Sequence, residues 1–347
     1  MIEIGKRLIG STEEPYIIAE LSANHGGSLE RAKQTIDAAK LAGAHAVKIQ
    51  SYTPDTMTID CSKEDFQIKQ GLWKGYSLYQ LYSLAQTPYE WHQDIFNHAK
   101  KIGITLFSTP FDESAVELLE SLDTPAYKLA SFEITDIPLI KTIAETKKPI
   151  LMSTGMATLE EVSEAVEVAK SAGNDKIVLL HCISSYPASL ESANLQNIPI
   201  LREQFNLDVG LSDHTMGATA AAVSIALGAV VIEKHFKLDE NENGPDASFS
   251  IDQVEMRELV DTSKKAWSAL RNSTFSRSNE ESENIVFRRS IYFVKDKKAG
   301  QTVEESDIKR IRPGYGLHPR HYQNVIGKTL LQDVERGDAL TVDVIDL

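Results

Sequence analysis

Residues 230–236 read VVIEKHF, an apolar, β-branched run that ends in ionisable side chains. A buried strand rarely keeps a charged residue, because removing its water costs several kcal/mol unless the charge is paired. Four other apolar runs carry an ionisable or metal-binding residue at or near their ends: YIIAE at 16–20, AVKIQ at 46–50, AYKLAS at 126–131 and GLSDHT at 210–215. Such ends converge on a reaction site when the strands lie side by side, so the sequence favours an enzyme.

The same runs belong to a strand-then-helix repeat along residues 16–270. Amphipathic stretches that end in Gly, such as LERAKQTIDAAKLAG, follow the apolar runs and are typical of helices with a glycine C-cap. The predicted strands are 16–20, 46–50, 104–108, 126–130, 149–153, 176–182, 208–212 and 230–235. Eight alternating units predict a (β/α)8 TIM barrel, with its site at the carboxyl ends of the strands. An open doubly wound sheet is the competing fold, but the Gly-rich fingerprint expected after an early strand is missing.

Two segments depart from the repeat. Residues 52–86 form a long insertion, which we expect to cover the barrel mouth as a lid, with structural padding as the alternative. Its aromatic residues suit stacking on a sugar; they are Trp73, Tyr76, Tyr79 and Tyr82. After a polar link at 272–285, the helical rhythm stops and turn-rich short strands follow. The predicted organisation is a catalytic barrel at 1–271, a linker at 272–285 and a small β-rich domain at 286–347.

Composition limits the partners and the compartment. A net charge of −14 and a pI near 5.2 argue against wide contact with nucleic acid or an anionic membrane. The N-terminal stretch MIEIGKRLIGSTEE lacks the apolar core of a secretory signal, and no run has the apolar length of a membrane span. Two cysteines, Cys61 and Cys182, do not make a disulfide framework, so a reducing cytoplasm is expected.

The histidines indicate a metal or catalytic pair. His214 follows the seventh predicted strand and His235 ends the eighth, so neighbouring strands place two imidazoles within reach of one ion. A site with two His ligands, completed by water or substrate oxygens, suits a Lewis acid. Mn²⁺ is the expected ion, and Mg²⁺, Co²⁺ and Zn²⁺ are alternatives. Each histidine could instead be an ordinary hydrogen-bonded side chain.

Lysines, hydroxyls and one carboxylate complete the candidate site. Lys48 and Lys128 interrupt apolar strands and can act as anion clamps, as Schiff-base amines or as edge residues that reach solvent. Ser131, Ser153 and Ser184, with Ser185, follow nearby strand ends, and lysines with hydroxyls form a cradle for a phosphate and a carboxylate. Glu20 ends the first strand, where it could hold water, act as a base or pair with a lysine.

Taken in order, seven motifs resemble the sialic acid synthase family. They are AELSANH, AVKIQSYTPD, YKLASFEI, MSTGMAT, GLSDHT, ALGAVVIEKHF and NGPDASFS. The resemblance runs over nearly the whole chain and implies a catalytic barrel joined to a C-terminal antifreeze-like (SAF) domain. It also implies the metal-dependent condensation of phosphoenolpyruvate with an N-acylated amino sugar. The segment WKGYSLYQLY and the tail motif RPGYGLHP resemble the branch that makes pseudaminic acid; the N-acetylneuraminate and legionaminate branches are the alternative.

The resemblance also implies roles for individual residues. His214 and His235 would be the metal ligands, and Glu20 would position water. Phosphoenolpyruvate would be held by Lys48, Lys128, Ser131, Ser153 and Ser184. Tyr186 and Asp246 would contact the sugar, and Arg312 would reach the sugar's N-acyl group in the partner's barrel of a domain-swapped homodimer. Ile183, where the family commonly has Thr, and Gly26, where an Asn often follows the His, depart from the family pattern.

Two other functions remain open at this stage. An aldolase would use Lys128 as a Schiff-base amine, whereas the phosphoenolpyruvate mechanism needs no such amine. A catalytically dead barrel would serve as a scaffold, although it need not retain all five ionisable residues at the strand ends.

Overall fold

The first described residues form a short antiparallel hairpin, Ile2–Ile4 (β1) and Arg7–Ile9 (β2). The computed structural model describes residues 2–239, 244–270 and 275–346. It divides the chain into two units, residues 1–271 and 272–347. The hairpin belongs to the first unit, and the sequence reading did not predict it.

The strand-then-helix repeat closes into a barrel. Within residues 2–239 and 244–270, eight parallel strands pair in chain order, and the last pairs with the first. The strands are Tyr16–Glu20 (β3), Ala46–Ser51 (β4), Thr105–Pro110 (β5), Tyr127–Leu129 (β6), Ile150–Ser153 (β7), Ile177–Cys182 (β8), Asp208–Asp213 (β9) and Val231–His235 (β10). The predicted TIM barrel is confirmed, and each predicted strand lies within two residues of an observed one.

Helices cover the outside of the barrel, except for two that belong to the insertion over the cavity. The helices are Leu29–Ala42 (α1), Pro54–Met57 (α2), Leu78–Ala85 (α3), Tyr89–Ile102 (α4), Glu113–Ser121 (α5), Ile137–Glu145 (α6), Leu159–Ser171 (α7), Asn197–Phe205 (α8), Thr219–Ala226 (α9) and Gln253–Ala269 (α10). The two in the insertion are α2 and α3. Helix α1 shows why these stretches fold locally: Ser28 accepts a hydrogen bond from the Arg31 amide at its start, and Gly43 ends it in the left-handed conformation. No helix in the described part of the chain is long and apolar enough to cross a membrane.

Two apolar layers hold the barrel. The outer layer packs alternate strand residues against the helices, as Ile17 on β3 and Ile36 on α1 do. The inner layer fills the amino-terminal half of the barrel with Tyr16, Ile18 and Phe107, and the hairpin side chains Ile4 and Ile9 pack into it. Because successive residues of a strand face opposite sides, the next inward residue of β3 after Ile18 is Glu20. The barrel interior therefore changes from apolar to ionisable at its carboxyl end.

The second unit is a small fold with its own core. Its regular elements are Asn279–Glu283 (α11), Ser290–Phe293 (β11), Ile308–Ile311 (β12) and Tyr322–Val325 (α12). The two strands pair antiparallel, and Ile291, Phe293 and Leu340 are among the buried residues of its apolar cluster. Part of the predicted linker 272–285 is helical, as α11 and the 3₁₀ turn after it show; residues 272–274 lie outside the described residues.

Candidate active site

A cavity of about 410 Å³ opens at the carboxyl ends of the barrel strands. Nine of the predicted site residues line it: Glu20, Lys48, Lys128, Ser131, Ser153, Tyr186, His214, His235 and Asp246. Ser184 is not among the lining residues, but its hydroxyl lies 2.9 Å from that of Ser131. Arg312 lies in the second unit, directly after β12, and is exposed. Its role toward a partner's sugar stays a prediction.

Four buried ionisable side chains form the floor of the cavity. Lys48 Nζ lies 2.8 Å from Glu20 Oε2 and 3.7 Å from Glu233 Oε1, and Lys128 Nζ lies 3.6 Å from that same Glu233 oxygen. None of the four is more than 5% exposed. Two carboxylates thus alternate with two ammonium groups, and this pairing allows charges to persist without water.

The protonation states in this cluster differ between the two carboxyl groups. Burial raises the pKa of Glu20 to about 7, although Lys48 opposes the shift and Glu233 adds to it. Glu233 is equally buried, but Lys128 and Lys48 outweigh the burial and hold its pKa below the ordinary value. Burial lowers the pKa of Lys128, whereas Glu20 and Glu233 outweigh burial and raise that of Lys48. Glu20 can therefore gain or lose a proton near neutral pH, whereas Glu233 stays ionised between the two lysines.

The histidine pair lies beside this cluster. The ring centroids of His214 and His235 are 5.4 Å apart, and the ring of Tyr186 lies 4.4 Å from that of His214. His214 Nδ1 is 2.8 Å from the carbonyl oxygen of Ile183, so it donates there and leaves Nε2 as the basic nitrogen. Burial lowers the pKa of both imidazoles, which are therefore neutral at neutral pH.

These histidines fit a divalent ion with two protein ligands. Neutral imidazoles are the form that binds metals, and the Nδ1 atom of His235 is buried without a hydrogen-bond partner. Across residues 2–239, 244–270 and 275–346, no group of three or more His, Cys, Asp or Glu side chains is placed to hold a metal ion. Any ion bound here would take its remaining ligands from water or substrate.

Hydroxyl groups line the opposite rim near Lys128. Ser131 and Ser184 share a hydrogen bond, and the Ser153 hydroxyl is buried without a partner. Gly155 makes this rim possible: a Cβ there would lie 2.4 Å from Ser131 Cβ and 2.7 Å from Ser184 Oγ, and its φ is +43°. The rim offers donors at the point where a phosphate would meet Lys128. Cys182 lines the cavity, and burial raises its thiol pKa, which argues against a nucleophile.

A chain of hydrogen bonds connects Glu20 to Asp246, the last of the predicted residues in the cavity. Gln50 donates to Glu20 Oε1 at 3.1 Å and to Ser22 Oγ at 2.9 Å, and Ser22 donates to Asp246. Burial raises the pKa of Asp246. Asp246 is therefore placed to read a hydroxyl or amide of a ligand while remaining linked to the charged floor.

The insertion does cover part of the cavity, as Trp73 and Tyr82 line it. Trp73 Nε1 donates to the carbonyl oxygen of Pro245 at 2.9 Å, which ties the insertion to the loop that carries Asp246. The sequence reading was wrong about Tyr76, which is 43% exposed and does not line the cavity. Tyr79 also lies outside the lining and instead hydrogen-bonds Asp55, because α3 turns this face away from the barrel.

Sequence reasoning missed several residues of the site. Glu233 is the most important, and its signal was present: on β10 the inward positions alternate as 231, 233 and 235, so Glu233 must face the same interior as His235. Glu133 was also missed; it lines the cavity, and burial raises its pKa to about 7 against the opposing charge of Lys128. Nothing in the sequence around Glu133 indicates that a residue two positions beyond Ser131 turns inward.

Comparisons with known proteins agree with this site. Residues 35–274 match the NeuB family and residues 288–344 match the SAF domain. The chain belongs to the NeuB family. It is 48% identical, over 94% of its length and 95% of the relative, to a pseudaminic acid synthase of Campylobacter jejuni. It is 40% identical, over 96% of its length and 98% of the relative, to the pseudaminic acid synthase of Helicobacter pylori.

A solved structure extends the comparison to the fold. The N-acetylneuraminic acid synthetase of Leptospira borgpetersenii superposes with a TM-score of 0.74 at 29% identity, over 82% of this chain and 94% of that one. The expected resemblance to the sialic acid synthases is confirmed, as is the combination of a TIM barrel with a SAF domain.

Proposed function

We propose that this chain condenses phosphoenolpyruvate with 2,4-diacetamido-2,4,6-trideoxy-L-altrose and water, giving pseudaminic acid and inorganic phosphate. The observation that carries the proposal is the identity of 48–49% to two Campylobacter pseudaminic acid synthases, over 94% of the chain. The cavity supports it with an anion-binding end, a histidine pair and an aromatic wall in one space.

The charged end binds phosphoenolpyruvate. Lys128 and Lys48 neutralise its phosphate and carboxylate, and the hydroxyls of Ser131, Ser153 and Ser184 donate hydrogen bonds to the phosphate oxygens. Because these groups are buried and already oriented, they fix the enol carbon without a large loss of side-chain entropy on binding.

The bonds change as follows. Carbon three of phosphoenolpyruvate attacks the sugar aldehyde carbon, and positive charge develops on its carbon two. Water adds to carbon two and gives up a proton to Glu20, whose pKa of about 7 suits a base at neutral pH. Glu20 passes this proton to the aldehyde oxygen, which received the electron pair of the C=O bond in the first step and now becomes a hydroxyl. The tetrahedral intermediate then breaks its bond from carbon two to the phosphate oxygen while the proton of its new hydroxyl moves to the departing phosphate, which releases inorganic phosphate and leaves the keto acid.

His214 and His235 would hold a divalent ion, for which Mn²⁺ is our choice. Such an ion supplies Lewis-acid polarisation of the aldehyde oxygen. On the sugar side, Asp246 and Tyr186 orient the acetamido and hydroxyl groups. The ring of Tyr186 packs 5.0 Å from that of Phe249, which keeps it in place.

The assembly and the compartment are further parts of the proposal. The protein would act as a domain-swapped homodimer, in which Arg312 of one chain completes the sugar pocket of the other. Cytoplasmic location fits the two free cysteines, Cys61 and Cys182.

The first experiment measures phosphate release from phosphoenolpyruvate with Mn²⁺ and each candidate sugar in parallel. Turnover with the diacetamido altrose sugar alone supports the proposal. Turnover with N-acetylmannosamine alone would keep the mechanism and overturn the choice of sugar. A His235→Ala variant, expected to be inactive, is the control for phosphate released by contaminating phosphatases.

Mixed subunits test the dimer. Arg312→Ala and His235→Ala proteins are each expected to be nearly inactive, and a mixture that has exchanged subunits should regain part of the activity. A mixture as inactive as its components, with exchange verified by mass spectrometry, rules out a site built from two chains.

A further inference from the structure

One buried ion pair in the barrel points away from the cavity. Lys234 Nζ lies 2.7 Å from Asp213 Oδ2, and the two side chains are 0% and 1% exposed. Neither residue lines the cavity, because each lies on its strand between inward-facing neighbours. The mechanism described above uses neither of them.

The pair joins the two strand ends that carry the histidines. Lys234 precedes His235 on β10, Asp213 precedes His214 on β9, and the two residues are register partners in the sheet. On the inner face, the adjacent pair Glu233 and Ser212 is also hydrogen-bonded, at 3.0 Å. The strands are thus held together on both faces immediately before the histidines.

Lys234 also reaches beyond the end of the ladder. Besides Asp213, its ammonium group donates to the carbonyl oxygens of Thr215 and Gly217, the latter at 3.1 Å. An ammonium group has three N–H donors, and these three acceptors use all of them. Asp213 uses its second oxygen in the same loop, accepting from the Thr215 amide at 2.9 Å and from its hydroxyl at 2.8 Å. The residues on both sides of His214 are therefore fixed by one side chain from β10.

Stability alone is a weak reason for such a pair. Taking two charges out of water costs free energy, and their mutual attraction often does no more than offset this cost. Replacing a buried ion pair by apolar residues of similar volume is therefore frequently neutral or stabilising. What the apolar replacement cannot supply is the set of directed bonds to the backbone of residues 215 and 217.

We propose that Lys234 and Asp213 are positioning residues that fix His214 relative to His235, so that the two imidazoles form a preorganised pair for a divalent ion. This inference rests on the metal-binding part of the proposed function. It predicts that loss of the clamp weakens metal binding while leaving the anion-binding end, built on other strands, unchanged.

The test uses a Lys234→Met/Asp213→Leu double variant of the full chain, which removes both charges together. Mn²⁺ is titrated into the metal-free protein by calorimetry, and phosphoenolpyruvate affinity and thermal unfolding are measured in parallel. We expect a folded protein whose Mn²⁺ affinity falls about 10- to 100-fold, the usual cost of losing groups that orient metal ligands. Phosphoenolpyruvate affinity should not change. Lys148→Met, the same lysine change before β7 at the other end of the barrel, should match the wild type in Mn²⁺ affinity.

The outcomes separate this inference from the proposed function. A folded double variant with wild-type Mn²⁺ affinity overturns the clamp. If the wild type binds no more Mn²⁺ than His235→Ala does, the metal site itself is wrong and the clamp falls with it. Should the double variant not fold, Thr215→Val decides, since it removes one hydrogen bond to Asp213 and keeps the ion pair. A weakened Mn²⁺ affinity in that variant supports the clamp, and an unchanged one overturns it.

Discussion

The two ends of the barrel interior are built from the same strands but from opposite chemistry. At the amino-terminal end, Tyr16, Ile18 and Phe107 are at most 1% exposed and pack in an apolar layer. At the carboxyl end, Glu20 and Lys48 are as deeply buried but form an ion pair. The change takes place between successive inward residues of one strand, a distance of about 7 Å. Stability and chemistry are thus separated along each strand, and a mutation at one end should leave the property of the other end intact.

The largest expected effect is on activity at the carboxyl end. His235→Ala should lower the turnover number by about 10⁴-fold, equivalent to about 5.5 kcal/mol in the barrier. The free energy of unfolding should not fall, because the variant removes a buried nitrogen that has no partner. Steady-state phosphate release and urea unfolding measure the two quantities. A large loss of stability would show that the two ends are not separable.

The converse change is Phe107→Ala at the amino-terminal end. Loss of this fully buried ring should cost about 4 kcal/mol in the free energy of unfolding. Because the cavity lining is untouched, the turnover number of the folded fraction should stay close to the wild-type value. Urea unfolding followed by circular dichroism gives the first quantity, and active-site-normalised kinetics at low temperature gives the second. A large fall in the turnover number of fully folded protein would show that the amino-terminal layer also affects the chemistry at the carboxyl end.

A smaller effect concerns pH and Glu133. Its folded-state pKa of about 7 lies above the unfolded value near 4.5, so the folded protein binds the proton more tightly. The stabilisation is complete below the unfolded pKa and is lost as pH rises from about 4.5 through 7, amounting to on the order of 3 kcal/mol. Glu133→Gln should remove this part of the pH dependence.

The check on Glu133 is urea unfolding of both proteins at pH 5 and pH 8. The wild type should lose more stability than the variant over this interval. Equal losses would mean that Glu133 titrates in the folded protein as it does in water.

The smallest expected effect lies in the insertion over the cavity. Trp73→Phe removes the hydrogen bond to Pro245 and should raise the KM for the sugar by about fivefold, corresponding to about 1 kcal/mol. The KM for phosphoenolpyruvate should not change. Tyr76→Phe, at an exposed position of the same insertion, is the matched control and should leave both values as they are.

Much of the fold could be predicted from the sequence because its signals are local. Apolar runs such as 176–182 and helix caps such as Ser28 with Gly43 each depend on a few adjacent residues. The hairpin β1–β2 was missed because its strands are only three residues long, too short to show an alternating pattern.

The candidate site was predictable where it lies on a strand. Lys48, Lys128 and His235 interrupt or end apolar runs, so their burial follows from the fold. Tyr76 was assigned wrongly because it lies in an irregular stretch with no fixed period. Tyr79 was assigned wrongly because the sequence analysis did not predict helix α3, whose orientation decides which aromatic ring faces inward. Glu233 was missed although it was predictable, since the alternation of inward residues on β10 places it in the same interior as His235.

Closure of the barrel has a consequence for biosynthesis. Strand β3 pairs with β10, so residues 16–20 find their second neighbour only at residues 231–235. On a ribosome, roughly two thirds of the chain must emerge before the first strand is paired on both sides. During that time β3 has an open edge, to which another nascent chain can add a strand. Heterologous production should therefore respond to slower translation or to chaperones more strongly than the stability of the finished protein would indicate.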